Sequence, residues 1–153
     1  MIHTTAIIDE SVIIPDSTNV WAFTHISKGA KIGNDCTIGE GVHIGNNVII
    51  GDRCRIQNHA LIYDGVEIGS DVLIAPGVVT TNDYFPELPV GDWSKRFKKT
   101  IIKDKVSIGA NATIVCGVTL NENCMIGAGA VVTKDVFKDE VKVGNPAKHL
   151  RWK

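Results

Sequence analysis

The chain has 153 residues, 44% of them hydrophobic, and a formal net charge of −1. That composition suits one soluble domain with a substantial core, and a charge so near zero argues against nucleic acid as a partner. The start, Met1-Ile2-His3-Thr4-Thr5-Ala6, shows no charged-plus-apolar leader, and no apolar run is long enough to span a membrane, so a cytoplasmic protein is expected.

From Ile2 an aliphatic side chain recurs at every sixth position, through Ile8, Ile14, Val20, Ile26, Ile32, Ile38 and Ile44 to Ile74. After one interruption the series resumes at Ile102, Ile108, Ile114, Leu120, Ile126 and Val132. A helix repeats its apolar face every three or four residues and a strand every two, so a period of six means one structural unit per hexad. A second column of small residues lies four positions after the first, from Ala30 and Cys36 to Val78 and from Val106 to Val136. Both columns are expected to face inward. Gly, Asn or Asp commonly fills the third position after the aliphatic residue, from Asp35 to Asp135, and these types tolerate the positive φ of a tight corner. Three strand-and-corner units close a triangular coil of about eighteen residues, which predicts an all-β parallel β-helix of about six coils. A single domain over 1–153 is expected, with a short C-terminal tail at 138–153.

Cys36, Cys54 and Cys124 fall in the small inward column, where Ala and Val also sit, so core packing accounts for them. No CxxC pair is present, and no metal site is expected.

The interval from Ile74 to Ile102 is 28 residues, four more than a multiple of six, which predicts an inserted loop over 80–101. It begins Thr80-Thr81-Asn82-Asp83 and carries aromatic residues, Pro86, Pro89 and a basic run of Lys95, Arg96, Lys98, Lys99, Lys103 and Lys105. Solenoid walls have no pocket of their own, so a long loop in so regular a scaffold points to function. The basic run is read either as a solvated surface or as an attractor for phosphoryl oxygens.

Several stretches resemble the hexapeptide-repeat acyltransferases: Ile56-Gln57-Asn58, Tyr63-Asp64-Gly65-Val66-Glu67-Ile68, Ala75-Pro76-Gly77, Ser107-Ile108-Gly109-Ala110-Asn111-Ala112, Gly127-Ala128-Gly129-Ala130 and Val143-Gly144-Asn145-Pro146-Ala147-Lys148. The Thr80 to Asp83 segment is similar to the nucleotide-linked amino-sugar N-acetyltransferases, which serve lipopolysaccharide, S-layer and other surface glycans. The resemblance implies a left-handed coil, acetyl-CoA as co-substrate and a homotrimer with active sites between neighbouring prisms. It points to Gly109, Ala110 and Ala128 for backbone contacts with CoA, and to Lys134, Pro146 and Lys148 around its nucleotide end. O-acetyltransferases of the family carry a histidine where the repeat breaks, whereas no histidine occurs here between residues 60 and 148. An amine acceptor therefore fits, because a neutral amine is already nucleophilic and needs chiefly placement. Asn82 is the candidate to hold the acceptor or the acetyl carbonyl. Asp83 is the candidate to bond the amine or support the loop.

Gln57, Asn58 and His59, with Tyr63 and Asp64, are candidates for the sugar site, although His59 also reads as a plain corner residue. His25 and His43 are one coil apart and are expected to stack on one face. Alternatives are an O-acetyltransferase, a non-catalytic solenoid, and a γ-type carbonic anhydrase, whose HxxxxH pair is missing. A serine acetyltransferase would add a helical N-terminal domain absent from this sequence.

Overall fold

A computed structural model describes residues 1–88 and 91–153, with backbone alone at 93 and 94. The chain winds into a left-handed parallel β-helix with three flat faces. The first face stacks Asn19–Val20, Thr37–Ile38, Arg55–Ile56, Leu73–Ile74, Ser107–Ile108 and Met125–Ile126. The second stacks Ile7–Ile8, His25–Ile26, His43–Ile44, Leu61–Ile62, Val79–Thr80, Thr113–Ile114 and Val131–Val132. The third stacks Lys31–Ile32, Ile49–Ile50, Val66–Ile68, Thr100–Ile102 and Thr119–Leu120. The chain visits the faces in that order, so residues six apart lie on neighbouring faces and residues eighteen apart lie one above the other.

Both inward columns fill the prism. Ile26, Ile38, Ile44, Ile62, Ile74 and Ile114 have no exposed surface, and Cys36, Cys54, Ala60, Ala112 and Cys124 are equally sealed in the small column. Each buried isoleucine contributes about 1.5 to 3 kcal/mol. Backbone bonds between coils tie the stack, as in Asn19 N–H to the carbonyl of Cys36 and Thr37 N–H to that of Cys54, both at 2.9 Å.

The corners take the expected left-handed backbone at Asp35, Asn47, Asp71, Asn111 and Asn123, and at His59 with φ of 59°. Asp135 does not; its carboxylate instead accepts the Thr119 N–H at 2.8 Å. The cause is a shortened last unit, in which Val136 pairs with Leu120 only four residues after Val132. The second face is seven strands deep, one rung more than the six coils expected.

Two expected boundaries also move. Thr80 is fully buried at the column position an isoleucine would hold, and Thr100 is fully buried in the small column. The loop therefore runs from 81 to 99 rather than 80 to 101, because hydroxyls can replace methyls where backbone groups need partners. Tyr63 N–H donates to the Thr80 hydroxyl at 2.9 Å, and Gly117 N–H to that of Thr100 at 3.2 Å. Pro89 and Val90 of the loop lie outside the described residues. The segment expected as a tail forms two strands. Glu140–Val143 continues the first face in parallel, and Lys148–Trp152 turns back antiparallel against it.

Candidate active site

The residues singled out above fall on two edges of the prism that border the second face. The first edge, between the first and second faces, carries Gln57, Asn58, His59, Gly109, Ala110 and Ala128. A single ladder of backbone bonds runs up it: His59 N–H to Glu40 O at 2.8 Å, Gly77 to Asn58 at 3.0 Å, Asn111 to Pro76 at 3.0 Å and Gly129 to Ala110 at 2.8 Å. Asn58 and Ala110 are thus two coils apart, about 10 Å at the usual strand spacing. Gly109 is demanded by this stacking, since a Cβ there would lie 2.5 Å from Ala128 N. With only small side chains along this edge, Ala128 is exposed and Ala110 half-exposed. Gln57, Asn58 and His59 are all exposed, and the His59 ring lies over Gly41, whose Cβ would meet Nδ1 at 2.4 Å.

The second edge, between the second and third faces, carries Tyr63, Asp64, Asn82, Asp83 and Lys134. Tyr63 and Asp64 lie one coil below Thr81 and Asn82. Asp64 is occupied in bonding, accepting Asn46 N–H at 2.8 Å and its side-chain amide at 3.1 Å. Tyr63 ends a row of rings across the second face: His25 to His43 at 5.4 Å, then His43 to Tyr63 at 5.2 Å. The stacking of the two histidines is as expected, and burial, followed by the neighbouring His25, holds the His43 imidazole below its ordinary pKa.

At the loop base, Asp83 pairs with Phe97 in a short antiparallel bridge, and Lys98 N–H donates to Asn82 O at 2.9 Å. The Asp83 carboxylate has both oxygens engaged, one accepting Phe85 N–H at 3.0 Å and the other paired with Arg96. Of its two expected roles, this geometry serves loop support. Arg96 is the residue whose part was hidden in the basic run: it clamps Asp83, while its Nε is buried with no hydrogen-bond partner among the described residues. Thr81 helps from below by accepting the Cys116 N–H at 3.0 Å.

Four of the five other members of the basic run are also engaged within the chain. Lys95 faces Asp92 at 3.6 Å, Lys99 meets Glu67 at 2.6 Å, Lys103 meets Glu122 at 3.4 Å, and Lys98 lies 4.0 Å from the centre of the Tyr84 ring. Lys134, Pro146 and Lys148 are exposed beside the last coils. Val131 N–H bonds Gly144 O at 3.0 Å and Ala147 N–H bonds Val131 O at 2.8 Å, which fixes the Asn145–Pro146 turn against the second face. Among the described residues, no group of three or more His, Cys, Asp or Glu side chains is placed to hold a metal ion, and no helix is long and apolar enough to cross a membrane.

Within one chain, then, the acceptor candidates divide. Gln57, Asn58 and His59 share an edge with the CoA candidates Gly109, Ala110 and Ala128, whereas Asn82, Asp83, Tyr63 and Asp64 stand on the opposite border of the second face.

Comparison with known proteins bears on this arrangement. Residues 11–46, 29–64, 47–82 and 99–134 match the model of the bacterial transferase hexapeptide (six repeats) family. The chain is 53% identical over 147 residues to the dTDP-3-amino-3,6-dideoxy-alpha-D-galactopyranose 3-N-acetyltransferase of Aneurinibacillus thermoaerophilus, covering 96% of this chain and 75% of that one. Its fold is similar to that of a hexapeptide-repeat acetyltransferase of Vibrio cholerae O1 biovar eltor complexed with acetyl coenzyme A, with a TM-score of 0.69, 28% identity and coverage of 82% and 71%. PerB of Caulobacter crescentus, solved with CoA and GDP-perosamine, shares the fold at a TM-score of 0.70 and 20% identity. The chain covers 98% of itself in that match but spans only 56% of PerB. By the family match and by an identity of 53% along nearly its whole length, the chain belongs to the bacterial transferase hexapeptide family.

Proposed function

We propose that the protein transfers the acetyl group of acetyl-CoA to the amino group of a nucleotide-linked amino sugar. The observation that carries this reading is the 53% identity to a dTDP-amino-sugar N-acetyltransferase over 96% of the chain. The absence of histidine between residues 60 and 148, a span that includes the loop, agrees with it, since an amine needs no strong base. The acceptor nitrogen attacks the thioester carbonyl, a C–N bond forms and the C–S bond breaks. The proton leaving nitrogen ends on the departing thiolate.

Catalysis in this scheme comes from placement. Gly109, Ala110 and Ala128 hold the pantetheine arm through backbone groups on the first edge, with Lys134, Pro146 and Lys148 around the nucleotide end of CoA. Gln57, Asn58 and His59 continue that edge toward the sugar. Asn82, Asp83, Tyr63 and Asp64 lie on the other edge, so a complete site is assembled when the loop edge of one copy meets the first edge of the next, as in a homotrimer. The product would enter surface glycan synthesis, lipopolysaccharide included, from the cytoplasm.

The test is thiol release from acetyl-CoA with dTDP- and UDP-linked 3-amino and 4-amino sugars and their hydroxyl counterparts. Turnover with an amino sugar, lowered at least about tenfold in Asn82→Ala with the melting curve retained, is the expected result. A hydroxyl sugar outperforming every amino sugar overturns the reading.

A further inference from the structure

A groove of about 540 Å3 opens on the first face, reaching up to the acceptor candidates Gln57 and Asn58, and none of the roles assigned above uses its lower walls at Trp21, Glu40 and Arg55. Its walls are Trp21 and Gln57, one coil below and one coil above Gly39. Gly39 supplies the depth: a Cβ there would lie 2.6 Å from Asn58 Oδ1 and 2.7 Å from Asn58 N, so no side chain fits between the walls. Trp21 keeps 48% of its surface exposed, a large apolar plane that the described residues leave uncovered. Arg55 lines one end and has no ion-pair partner among the described residues, in contrast to Arg53, Arg96 and Lys99. At the other end, three residues further along the chain and about 10 Å away, sit Asn58 and Glu40.

We propose that this groove binds the nucleoside diphosphate part of the acceptor, a reading that rests on the function proposed above. The chemistry of the lining fixes the orientation. Trp21 offers a flat face for a base, because aromatic stacking contributes regardless of which base is present. Arg55 is the cation for the diphosphate, with the planar fork that suits phosphoryl oxygens. Glu40 would repel a second anion, so its end receives neutral donors, the hydroxyls of the sugar that follows the diphosphate. Asn58 Oδ1 already accepts Glu40 N–H at 3.2 Å, which leaves its amide hydrogens for the ligand. A volume within the usual range for small-molecule sites fits one nucleotide. The first edge then holds both substrates in series: nucleotide beside Trp21, sugar beside Gln57 and Asn58, and the CoA arm beyond Ala75 and Pro76 at Gly109 and Ala110.

The chain has three tryptophans, so Trp93→Phe with Trp152→Phe leaves Trp21 as the reporter. Titration with thymidine diphosphate and uridine diphosphate is expected to quench its emission saturably, and inorganic pyrophosphate alone should not. In the full sequence, Arg55→Gln and Trp21→Ala should each raise the dissociation constant about tenfold, the equivalent of about 1.4 kcal/mol. The KM for a nucleotide-linked amino sugar should rise in step, while that for acetyl-CoA stays unchanged. Absence of quenching, or unaltered acceptor KM in both variants, overturns the assignment. So does a Trp21→Ala protein that changes its sedimentation mass yet binds nucleotide normally, which would make the groove a contact between copies. Saturable nucleotide binding at Trp21 with no acetyl transfer to any amino sugar would sink the proposed activity and leave the nucleotide site standing.

Discussion

Replacing Asp83 by Asn keeps the size of the side chain and its acceptor for Phe85 N–H, and removes the charge that faces Arg96. The two side chains are only 13% and 29% exposed, so solvent screens the pair less than a surface ion pair. A charge-assisted bond so sheltered contributes about 2 kcal/mol. The loss is confined to the loop base, because Thr80 and Thr100 anchor both ends of the loop in the core. Open forms of the loop should therefore become about 30-fold more populated, while the global melting temperature moves by less than about 2 °C. Chymotrypsin reads this directly, cutting after Tyr84 or Phe97 at a rate that follows the open population when reclosing is fast. Arg96→Met should do more, since it strands a sheltered carboxylate, and the double variant should show coupling of at least about 1 kcal/mol. Cleavage of Asp83→Asn within a factor of two of the parent refutes the clamp. The same variants settle the chemistry: a clamp lowers turnover in both and more in Arg96→Met, whereas a proton acceptor would make Asp83→Asn far the slower despite its smaller loop defect.

Ile44 is fully buried, so Ile44→Asp should cost several kcal/mol and abolish cooperative melting, while Ile2→Ala, at a residue 51% exposed, should cost under about 1 kcal/mol. Cooperative melting of Ile44→Asp near the parent temperature would reject the inward register. Because the His43 pKa is depressed by burial and by His25, opposed by Asp64, the unfolded chain takes up a proton that the native chain refuses. Stability is then intact above the ordinary histidine value of about 6.5 and falls as pH drops through it toward the lower folded value; His43→Gln should flatten that slope in melting curves, and an unchanged slope would discard the assignment. All four thiols are buried and burial pushes Cys124 up to about 12, so Ellman's reagent should label no thiol in the native protein and four after denaturation; rapid native labelling would contradict the packing.

The coil was legible because the aliphatic and small columns repeat at a fixed period, and from Val20 onward each member is buried for the reason the period implies. Thr80 escaped that reading because a search for aliphatic residues does not see a hydroxyl doing a column's work; its partner, the Tyr63 N–H, is a backbone group invisible to composition. The division of the site across two edges was present in the numbering, since Asn58 and Asp64 are six apart and so turn one corner. The self-pairing of the basic run was not, because Glu67 and Glu122 reach Lys99 and Lys103 only through the stacking of distant coils. The role of Arg96 likewise depends on the loop folding back on Asp83, which no period encodes.

The closed base of the loop separates two kinds of change in this protein. Asn82 and Lys98 are held together by one backbone bond, and both flanking threonines keep their places in the core whatever lies between. Lengthening or replacing the residues between Asp83 and Arg96 leaves that bond and the ion pair in place and alters chiefly loop-closure entropy, which grows slowly with length. Acceptor preference can therefore drift, or be redesigned by grafting a foreign segment between those two positions, without any compensating substitution in the prism.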